Sequence, residues 1–275
     1  MGERHTSAGS RWGSKEREGM EFAARELMAI VAAREIQDGE IVFCGTGISL
    51  LAAMAAKRIH APGAMVFFET GAIDPDLREI PMSVADSRVM FRASVNAGLA
   101  EAFAMMQNRF LGPRVVAILG AAQVDRYGNL NSTCVGDYAR PSVRFPGSGG
   151  ACDAGSFVGR TIVFIRHERR RFVERLDYLT TPGYLDGPGG RERLGYRRGG
   201  PTCVISDRAL LRFDGVNKEM YLDRYYPGTT PEEIQSHTGF SLDLTRAAPL
   251  DPPTIEELRI LRQEVDPQQL ILDEG

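Results

Sequence analysis

A short apolar run that ends in a carboxylate is the pattern in this chain with the most direct chemical meaning. Residues 65–68, Met-Val-Phe-Phe, are followed by Glu69, Thr70 and Gly71. The run is too short for a helix and lies between Pro62-Gly63 and Gly71, so it predicts a buried strand. Ligands of α/β proteins bind beside the carboxyl ends of such strands. Glu69 is therefore a candidate nucleophile, although pairing with an arginine or capping a nearby helix would also account for it.

A glycine-rich segment could present amide donors to a ligand. Residues 145–155 read Phe-Pro-Gly-Ser-Gly-Gly-Ala-Cys-Asp-Ala-Gly. Three glycines in four positions let the backbone approach a ligand closely or present amide groups to it. We expect a short helix from Ala151 onward, with an N-terminus that would favour an oxyanion or a phosphate. The alternative is a flexible loop without function, which the apolar strands on either side disfavour.

Three other segments have both a chemical and a structural interpretation. Residues 120–132 are polar between two apolar runs and predict a tight loop that forms a site wall, although turn chemistry alone would explain Asp125, Gly128 and Asn129. Residues 45–47, Gly-Thr-Gly, lack the third glycine of a dinucleotide fingerprint, which favours a simple turn. The charged run at 167–171 could hold phosphates, but such runs are usually solvated faces.

The order of predicted elements indicates how these residues are positioned. Helix, strand, glycine turn, helix and strand follow one another over residues 21–68, which is typical of a parallel sheet with helices on its faces. Apolar spacing predicts helices over residues 21–36, from 46–49 to about 60, over 94–110 and over 254–265. Apolar runs predict strands over residues 41–44, 65–68, 114–119, 161–165, 202–206 and 210–213.

Three of these helices carry more detailed predictions. Thr46 or Ser49 is expected to cap the second helix. The apolar faces of the third and last helices are expected to consist of Leu99, Phe103, Met106 and Phe110, and of Ile255, Leu258 and Leu261, respectively. The Gly/Arg/Pro-rich stretch at 183–200 predicts an exposed loop or a partner contact.

Composition limits the classes of function. The chain has 275 residues, a formal charge of -3 and 25% charged residues, which gives no reason to expect nucleic acid as a partner. No apolar run approaches the ~20 residues that span a bilayer. Residues 1–18 have no apolar block and predict a disordered tail rather than a secretory signal. No linker is evident after them, so residues 19–275 are expected to form a single domain.

The cysteines indicate neither a metal site nor a redox motif. Cys44, Cys134, Cys152 and Cys203 are far apart, and no pair has the spacing of a zinc site. They are expected to be reduced thiols in a cytoplasm. Cys152 lies in the glycine-rich segment and could face a pocket, whereas the other three are expected to fill the core.

Several spaced motifs resemble the β subunit of family I coenzyme A transferases, and most of all the glutaconate CoA-transferase B-subunit group. They are Glu69-Thr70-Gly71, the segments at 120–132 and 147–153, and the stretch from Arg171 to Gly183. The tail is similar too, in Tyr226-Pro227-Gly228 and over 257–267. The resemblance covers residues 20–270, and its motifs agree in order, so it is far more specific than a lone glycine pattern.

The resemblance implies an α/β domain of the CoA-transferase type, with a mostly parallel sheet flanked by helices and additional β-strands. It also implies a homologous α subunit, an active site at the subunit interface and a chain that is inactive alone. Glu69 would attack an acyl-CoA thioester and become a glutamyl-CoA thioester, with coenzyme A as a substrate and no permanently bound cofactor or metal. Substrate or CoA binding is expected at Gly71, Gln123, Gly147, Gly149, Gly150, Ala151 and Asp153.

Two departures and two alternatives accompany this interpretation. The group often has Ser at the position of Thr70 and Asn or Met at the position of Cys152, which bears on substrate identity.

A related branch of hydrolases, which open a ring in a steroid-derived acyl-CoA, resembles residues 123–129 equally well. The resemblance implies that those β chains lack the glutamate, so Glu69 favours transfer. A non-catalytic ligand sensor is the third hypothesis, which no DNA-binding segment or basic patch supports.

Overall fold

A computed structural model describes residues 21–273 and centres on one ten-stranded β-sheet. In chain order the strands are β1 (Ile41–Cys44), β2 (Met65–Phe67), β3 (Ala72–Ile73), β4 (Val95–Asn96), β5 (Val115–Gly120), β6 (Gln123–Val124), β7 (Leu130–Asn131), β8 (Cys134–Val135), β9 (Val143–Arg144), β10 (Arg160–Phe164), β11 (Pro201–Ile205), β12 (Ala209–Phe213), β13 (Met220–Tyr225) and β14 (Ala248–Pro249). The helices are α1 (Ala24–Glu35), α2 (Ile48–Ile59), α3 (Leu99–Gln107), α4 (Ala151–Phe157), α5 (Gly190–Arg193), α6 (Pro231–Ser236) and α7 (Ile255–Ile260).

The sheet has a parallel centre and mostly antiparallel flanks. Its strand order is β14-β13-β12-β11-β10-β5-β1-β2-β3-β4. The five central strands, β11, β10, β5, β1 and β2, run parallel to one another. On one side β3 and β4, and on the other side β12 and β13, each pair antiparallel with the strand before them. β6 pairs with β7, and β8 with β9, in two separate hairpins. The prediction of a mostly parallel α/β sheet with additional strands is confirmed.

Alternate residues of β1 show how the two faces of the sheet are filled. Successive side chains of a strand point to opposite faces. Val42 joins the apolar cluster formed with α1 and α2, whereas Phe43 joins the cluster that contains Met106 of α3 and Ala154 of α4. Helices therefore cover both faces, and the face beneath α3 and α4 is the one on which Phe43 lies.

Two predictions about helix ends are wrong for identifiable reasons. Gly47, with a φ of 88°, is the N-cap of α2, and neither Thr46 nor Ser49 caps the helix with its side chain. Helix α3 spans Leu99–Gln107 rather than residues 94–110, because Val95–Asn96 pairs with β3 as a strand. At the other end, the Asn108 side chain accepts hydrogen bonds from the amides of Phe110 and Leu111.

Several predicted apolar faces also need correction. Met106, Leu258 and Leu261 are buried as predicted, but Leu99, Phe110 and Ile255 are exposed. Ile255 follows the N-cap Thr254 directly, at the start of α7, where the helix faces solvent. The last helix continues after Ile260 as a π-helical turn over Leu261–Val265.

The stretch at 183–200 is not simply an exposed loop. Arg191 is buried, and its guanidinium donates hydrogen bonds to the carbonyls of Gly183, Gly155 and Arg198 at 2.7–2.9 Å. These contacts fasten the stretch to α4, which a composition rich in glycine and arginine did not indicate. The predicted tail at 1–18 lies outside the described residues, and the single domain over 19–275 stays a prediction. No helix among residues 21–273 is long and apolar enough to cross a membrane.

Candidate active site

A tight turn between β2 and β3 places Glu69 at the carboxyl end of a central strand. The amide of Gly71 donates to the carbonyl of Phe68, and the amide of Phe68 donates to the carbonyl of Ala72, both at 3.0 Å. Phe68 is fully buried, whereas Glu69 and Thr70 are half-buried at the tip of the turn. The chain thus presents a carboxylate at the rim of the sheet, where ligands of α/β proteins bind.

Gly71 is required at this turn by its backbone. Its φ is +101°, and a Cβ would lie 1.9 Å from the carbonyl oxygen of Ala97. The amide of Ala97 in turn donates to the carbonyl of Gly71 at 2.9 Å. Gly71 therefore fastens the glutamate turn to the segment before α3, and its predicted contact with substrate stays a prediction.

The structure brings Glu69 and the glycine-rich segment together. The amide of Gly150 donates to Oε2 of Glu69 at 3.2 Å. Among residues 21–273, the Glu69 side chain makes no other hydrogen bond, and no arginine pairs with its carboxylate. Because Gly150 is the N-cap of α4, the contact also fits the helix-capping interpretation. The other carboxylate oxygen, Oε1, accepts no hydrogen bond from the described residues.

The carboxylate is bordered by aromatic rings. A Cβ on Gly150 would lie 2.9 Å from Cζ of Phe43, 3.1 Å from Oε2 of Glu69 and 3.2 Å from Cε1 of Phe103. The rings of Phe43 and Phe67 lie 5.2 Å apart. Sequence reasoning missed Phe43 and assigned Phe103 to the core. Successive side chains of β1 point to opposite faces of the sheet, and a glycine turn follows the strand. Together these features could have identified Phe43 as a residue beside the site.

Thr70 has an unusual hydroxyl for a residue next to a candidate nucleophile. Its Oγ1 is buried and has no hydrogen-bond partner among the described residues. A buried hydroxyl without a partner is costly and calls for an explanation, such as a catalytic role or a bound water.

The rest of the glycine-rich segment is held by its own contacts. The amide of Gly147 donates to the carbonyl of Ser132 at 3.1 Å, and Oγ of Ser132 donates to the carbonyl of Gly147 at 2.9 Å. Gly149 is exposed, and a Cβ there would lie 3.7 Å from Oε2 of Glu69. Ala151 is half-buried at the start of α4, and Asp153 accepts a 3.5 Å hydrogen bond from Gln107 of α3.

Gln123 lies in a different setting from the other predicted site residues. It is buried, its Nε2 donates to Asp177 at 2.8 Å, and its Oε1 accepts from Asn131 at 2.7 Å. Both ends of the amide are thus used within the chain, and its contact with a substrate stays a prediction. The turn interpretation of Asp125 and Asn129 is correct, because the side chain of Asp125 accepts hydrogen bonds from both nitrogens of Asn129.

The charged run at 167–171 is used for structure. His167 is buried, and its ring nitrogens lie 2.9 Å from Oγ of Ser206 and 3.0 Å from Oγ1 of Thr238. Burial lowers the pKa of His167 to about 4, so the imidazole is neutral near pH 7. Glu168 pairs with Arg170 and Arg171. These contacts support the structural interpretation of the run, and a role in holding phosphates stays an untested alternative.

Three of the cysteines are buried, as predicted. Cys152 is exposed, whereas Cys44, Cys134 and Cys203 are buried. Burial raises the pKa of Cys44 and of Cys203 to about 12, which keeps both thiols protonated. Residues 21–273 contain no group of three or more His, Cys, Asp or Glu side chains that could hold a metal ion.

Comparison with known proteins identifies the family. Residues 25–237 match the family model described as coenzyme A transferase. The chain belongs to the coenzyme A transferase family. It is 40% identical to the glutaconate CoA-transferase B-subunit of Acidaminococcus fermentans over 91% of this chain and 95% of that protein. The crystal structure of that transferase matches with a TM-score of 0.89 over 92% of this chain and 98% of the other.

Two further relatives represent the alternatives weighed from the sequence. The chain is 31% identical to the 3-oxoadipate CoA-transferase B-subunit of Pseudomonas knackmussii, over 88% of this chain and 92% of that protein. It is 32% identical to a cholesterol ring-cleaving hydrolase subunit of Mycobacterium tuberculosis, over only 56% of this chain and 61% of that protein. The resemblance to the B-subunit group of CoA transferases is confirmed.

Proposed function

We propose that this chain is the β subunit of a heteromeric CoA transferase that moves CoA from an acyl-CoA to a carboxylic acid. Glu69 is the nucleophile and carries CoA as a glutamyl thioester between the two half-reactions. The observation that supports this role is the carboxylate at the end of β2, held by the amide of Gly150 on one oxygen and open on the other. Coenzyme A is a substrate, and no cofactor is bound permanently.

The reaction consists of two mirror-image exchanges. Oε1 of Glu69 attacks the thioester carbonyl, which gives a mixed anhydride and releases the CoA thiolate. The thiolate attacks the glutamyl carbonyl, forms the glutamyl-CoA thioester and releases the donor acid as a carboxylate. An acceptor carboxylate then attacks the glutamyl thioester, and the CoA thiolate returns to the acceptor's acyl carbon, which frees Glu69. Covalent catalysis of this kind replaces one difficult exchange with several easier ones.

The residues around Glu69 have distinct tasks in this scheme. The Gly150 amide orients Oε2 in the free enzyme and can donate to the oxyanion that forms on the glutamyl carbonyl during each attack, which is the interaction that typically contributes most to acyl transfer. The rings of Phe43 and Phe103 lie beside Gly150, next to the carboxylate. Apolar walls exclude water, which protects the anhydride and the thioester from hydrolysis.

The proposal includes a homologous α subunit as partner. The relatives from Acidaminococcus fermentans and Pseudomonas knackmussii are both named as the B-subunits of their transferases. Glu69 is only half-buried here, and Gly149 beside it is exposed, so the site lacks a second wall. The α subunit supplies that wall together with part of the oxyanion hole, and the assembled enzyme acts in the cytoplasm.

Reconstitution with the α subunit tests the proposal. The transfer of CoA between an acyl-CoA and a carboxylate is measured for the wild type, Glu69→Asp and Glu69→Gln. Both variants should lose at least about 100-fold in kcat, because the first withdraws the nucleophile by about an ångström and the second removes it. Glu232→Gln, at an exposed position in α6, is the matched control and should retain wild-type activity. Full activity of Glu69→Gln would refute the assignment, and addition of one water to a cyclic acyl-CoA, with its thioester retained and no transfer of CoA, would favour the ring-opening hydrolase.

A further inference from the structure

A small cavity beside the start of β11 is lined by several basic side chains. Its volume is about 180 Å³. The basic residues in its lining are Arg191, Arg197, Arg198 and Lys218. Among the described residues that line it, Glu192 is the one acidic side chain. The cavity therefore concentrates positive charge, in a chain whose formal net charge is -3.

These four cations have no carboxylate partner among residues 21–273. The guanidinium groups of Arg191 and Arg198 donate only to backbone carbonyls. The ammonium of Lys218 also donates to a backbone carbonyl, at 2.8 Å, and the Arg197 side chain makes no hydrogen bond in this part of the chain. The neighbouring Arg193, which does not line the cavity, is paired with a carboxylate. The positive charge around the cavity is thus left without a counter-charge.

The burial of Arg191 makes a missing counter-charge costly. Its side chain is only 4% exposed, and its Nε has no hydrogen-bond partner. Arginine is almost never fully buried unless it is paired. Carbonyl oxygens carry only partial charges, so they compensate a full positive charge incompletely. An anion in the cavity would supply the opposite charge at short range, where charges attract strongly because little water separates them.

The cavity lies at the opposite edge of the sheet from Glu69. Gly199, in its lining, comes two residues before β11, at the amino end of that strand. Lys218 lies in the turn after β12, which is at the same edge because β12 is antiparallel to β11. Glu69 follows the carboxyl end of β2, and the five central strands are parallel. A strand of five residues spans about 16 Å, so the cavity is distinct from the candidate active site.

We propose that this cavity, which we call the β11 pocket, binds the phosphate group of a small molecule at a site separate from Glu69. A phosphate group carries close to two negative charges near pH 7 and offers three acceptor oxygens, which suits several converging cations better than one carboxylate does. The volume is below the ~300 Å³ at which pockets for drug-sized ligands begin, so the pocket holds a phosphate with few further atoms. This inference does not depend on the proposed function.

Titration calorimetry with sodium phosphate tests the β11 pocket, in the full chain alone and in its complex with the α subunit. Sodium chloride at the same ionic strength controls for screening of exposed charges. Arg197→Gln and Lys218→Gln each remove one cation from the pocket. Arg140→Gln removes the same charge from an exposed arginine between β8 and β9 whose side chain makes no hydrogen bond among the described residues, and is the matched control. All three variants should keep the wild-type unfolding midpoint without phosphate, because none of these side chains is buried.

We expect saturable binding with a Kd of about 1 mM or tighter. Loss of a hydrogen bond to a charged group should weaken it at least about tenfold in Arg197→Gln and Lys218→Gln, and Arg140→Gln should change it less than about twofold. A parallel titration with glycerol phosphate identifies the source of the group: tighter binding of the ester indicates a phosphate monoester, and weaker binding indicates free phosphate.

Three results would overturn the inference. The first is the absence of saturable phosphate binding by the wild type, or its loss in the complex, which would mean that the partner subunit fills the pocket. The second is wild-type affinity in both pocket variants, which would place the bound phosphate elsewhere. The third is a rise of about tenfold or more in the KM for the acyl-CoA in Arg197→Gln, which would make the pocket part of the substrate site rather than a separate one.

Discussion

Replacement of Gly150 by alanine tests the geometry of the site with a single methyl group. Gly150 has a φ of -76°, so alanine introduces no backbone strain. Its Cβ would lie 2.9 Å from Cζ of Phe43 and 3.1 Å from Oε2 of Glu69, both shorter than an ordinary van der Waals contact. Phe43 is held in the core, so the carboxylate is the group that yields, and its hydrogen bond to the Gly150 amide weakens.

The expected consequences differ for stability and activity. Overpacking by one methyl group costs about 1–3 kcal/mol of unfolding free energy. Displacement of a nucleophile by about 1 Å can lower the turnover rate about 100-fold. We therefore expect Gly150→Ala to form the complex with the α subunit, to unfold at a slightly lower temperature and to lose about 100-fold in kcat.

Two comparisons make the result interpretable. Gly215→Ala is the matched control, because its Cβ would meet no heavy atom within 4 Å, and it should retain wild-type kcat and stability. Adding Phe43→Leu to Gly150→Ala removes the closest clash and should recover part of the lost rate. Steady-state transfer assays and thermal unfolding of the assembled enzyme provide both readouts. A kcat for Gly150→Ala within about threefold of that of Gly215→Ala would show that the added methyl group does not displace the Glu69 carboxylate.

Three further predictions concern the fold around the site. Gly71→Ala places a Cβ 1.9 Å from the carbonyl oxygen of Ala97 at a φ of +101°, and should cost about 3 kcal/mol or more in urea unfolding; an unchanged midpoint would contradict the contact. Burial lowers the pKa of His167 to about 4, so the unfolded chain takes up a proton below about pH 6.5 and the folded chain does not. His167 should thus make the unfolding free energy fall by about 3 kcal/mol between pH 6.5 and 4, and a His167→Gln variant with the same pH dependence would refute this. Iodoacetamide should modify Cys152 before the three buried cysteines, as peptide mass spectrometry of the native chain would show; equal labelling would contradict their burial.

The central strands could be predicted from local sequence because local and tertiary preferences agree there. Ile41–Cys44 is a strand over the residues expected, since four consecutive apolar residues lie between a helix and a glycine turn. Glu69 could be assigned to the sheet rim for the same reason. The approach of Gly150 to Glu69 joins residues 81 positions apart, and only the family resemblance indicated that these two segments belong together.

The predictions failed where tertiary contacts override local pattern. The apolar spacing of residues 94–110 is helical throughout, yet Val95 pairs with β3 at the sheet edge. Leu99 and Phe110 could not be recognised as exposed from one sequence, because their helical spacing is that of a buried face whether or not another element covers it. Arg191 lies in a stretch with the composition of an exposed loop, but its guanidinium satisfies backbone carbonyls from α4 and its own loop, a contact without a local signature.

Mass spectrometry of the assembled enzyme under turnover would detect the glutamyl-CoA thioester on Glu69 itself. The complex with the α subunit is incubated with a donor acyl-CoA in the absence of acceptor, quenched and digested. We expect a CoA adduct on the peptide that contains Glu69, which disappears when an acceptor carboxylate is added before the quench or when hydroxylamine is included. Sustained CoA transfer without any adduct on Glu69, or with the adduct on a different residue, would contradict it.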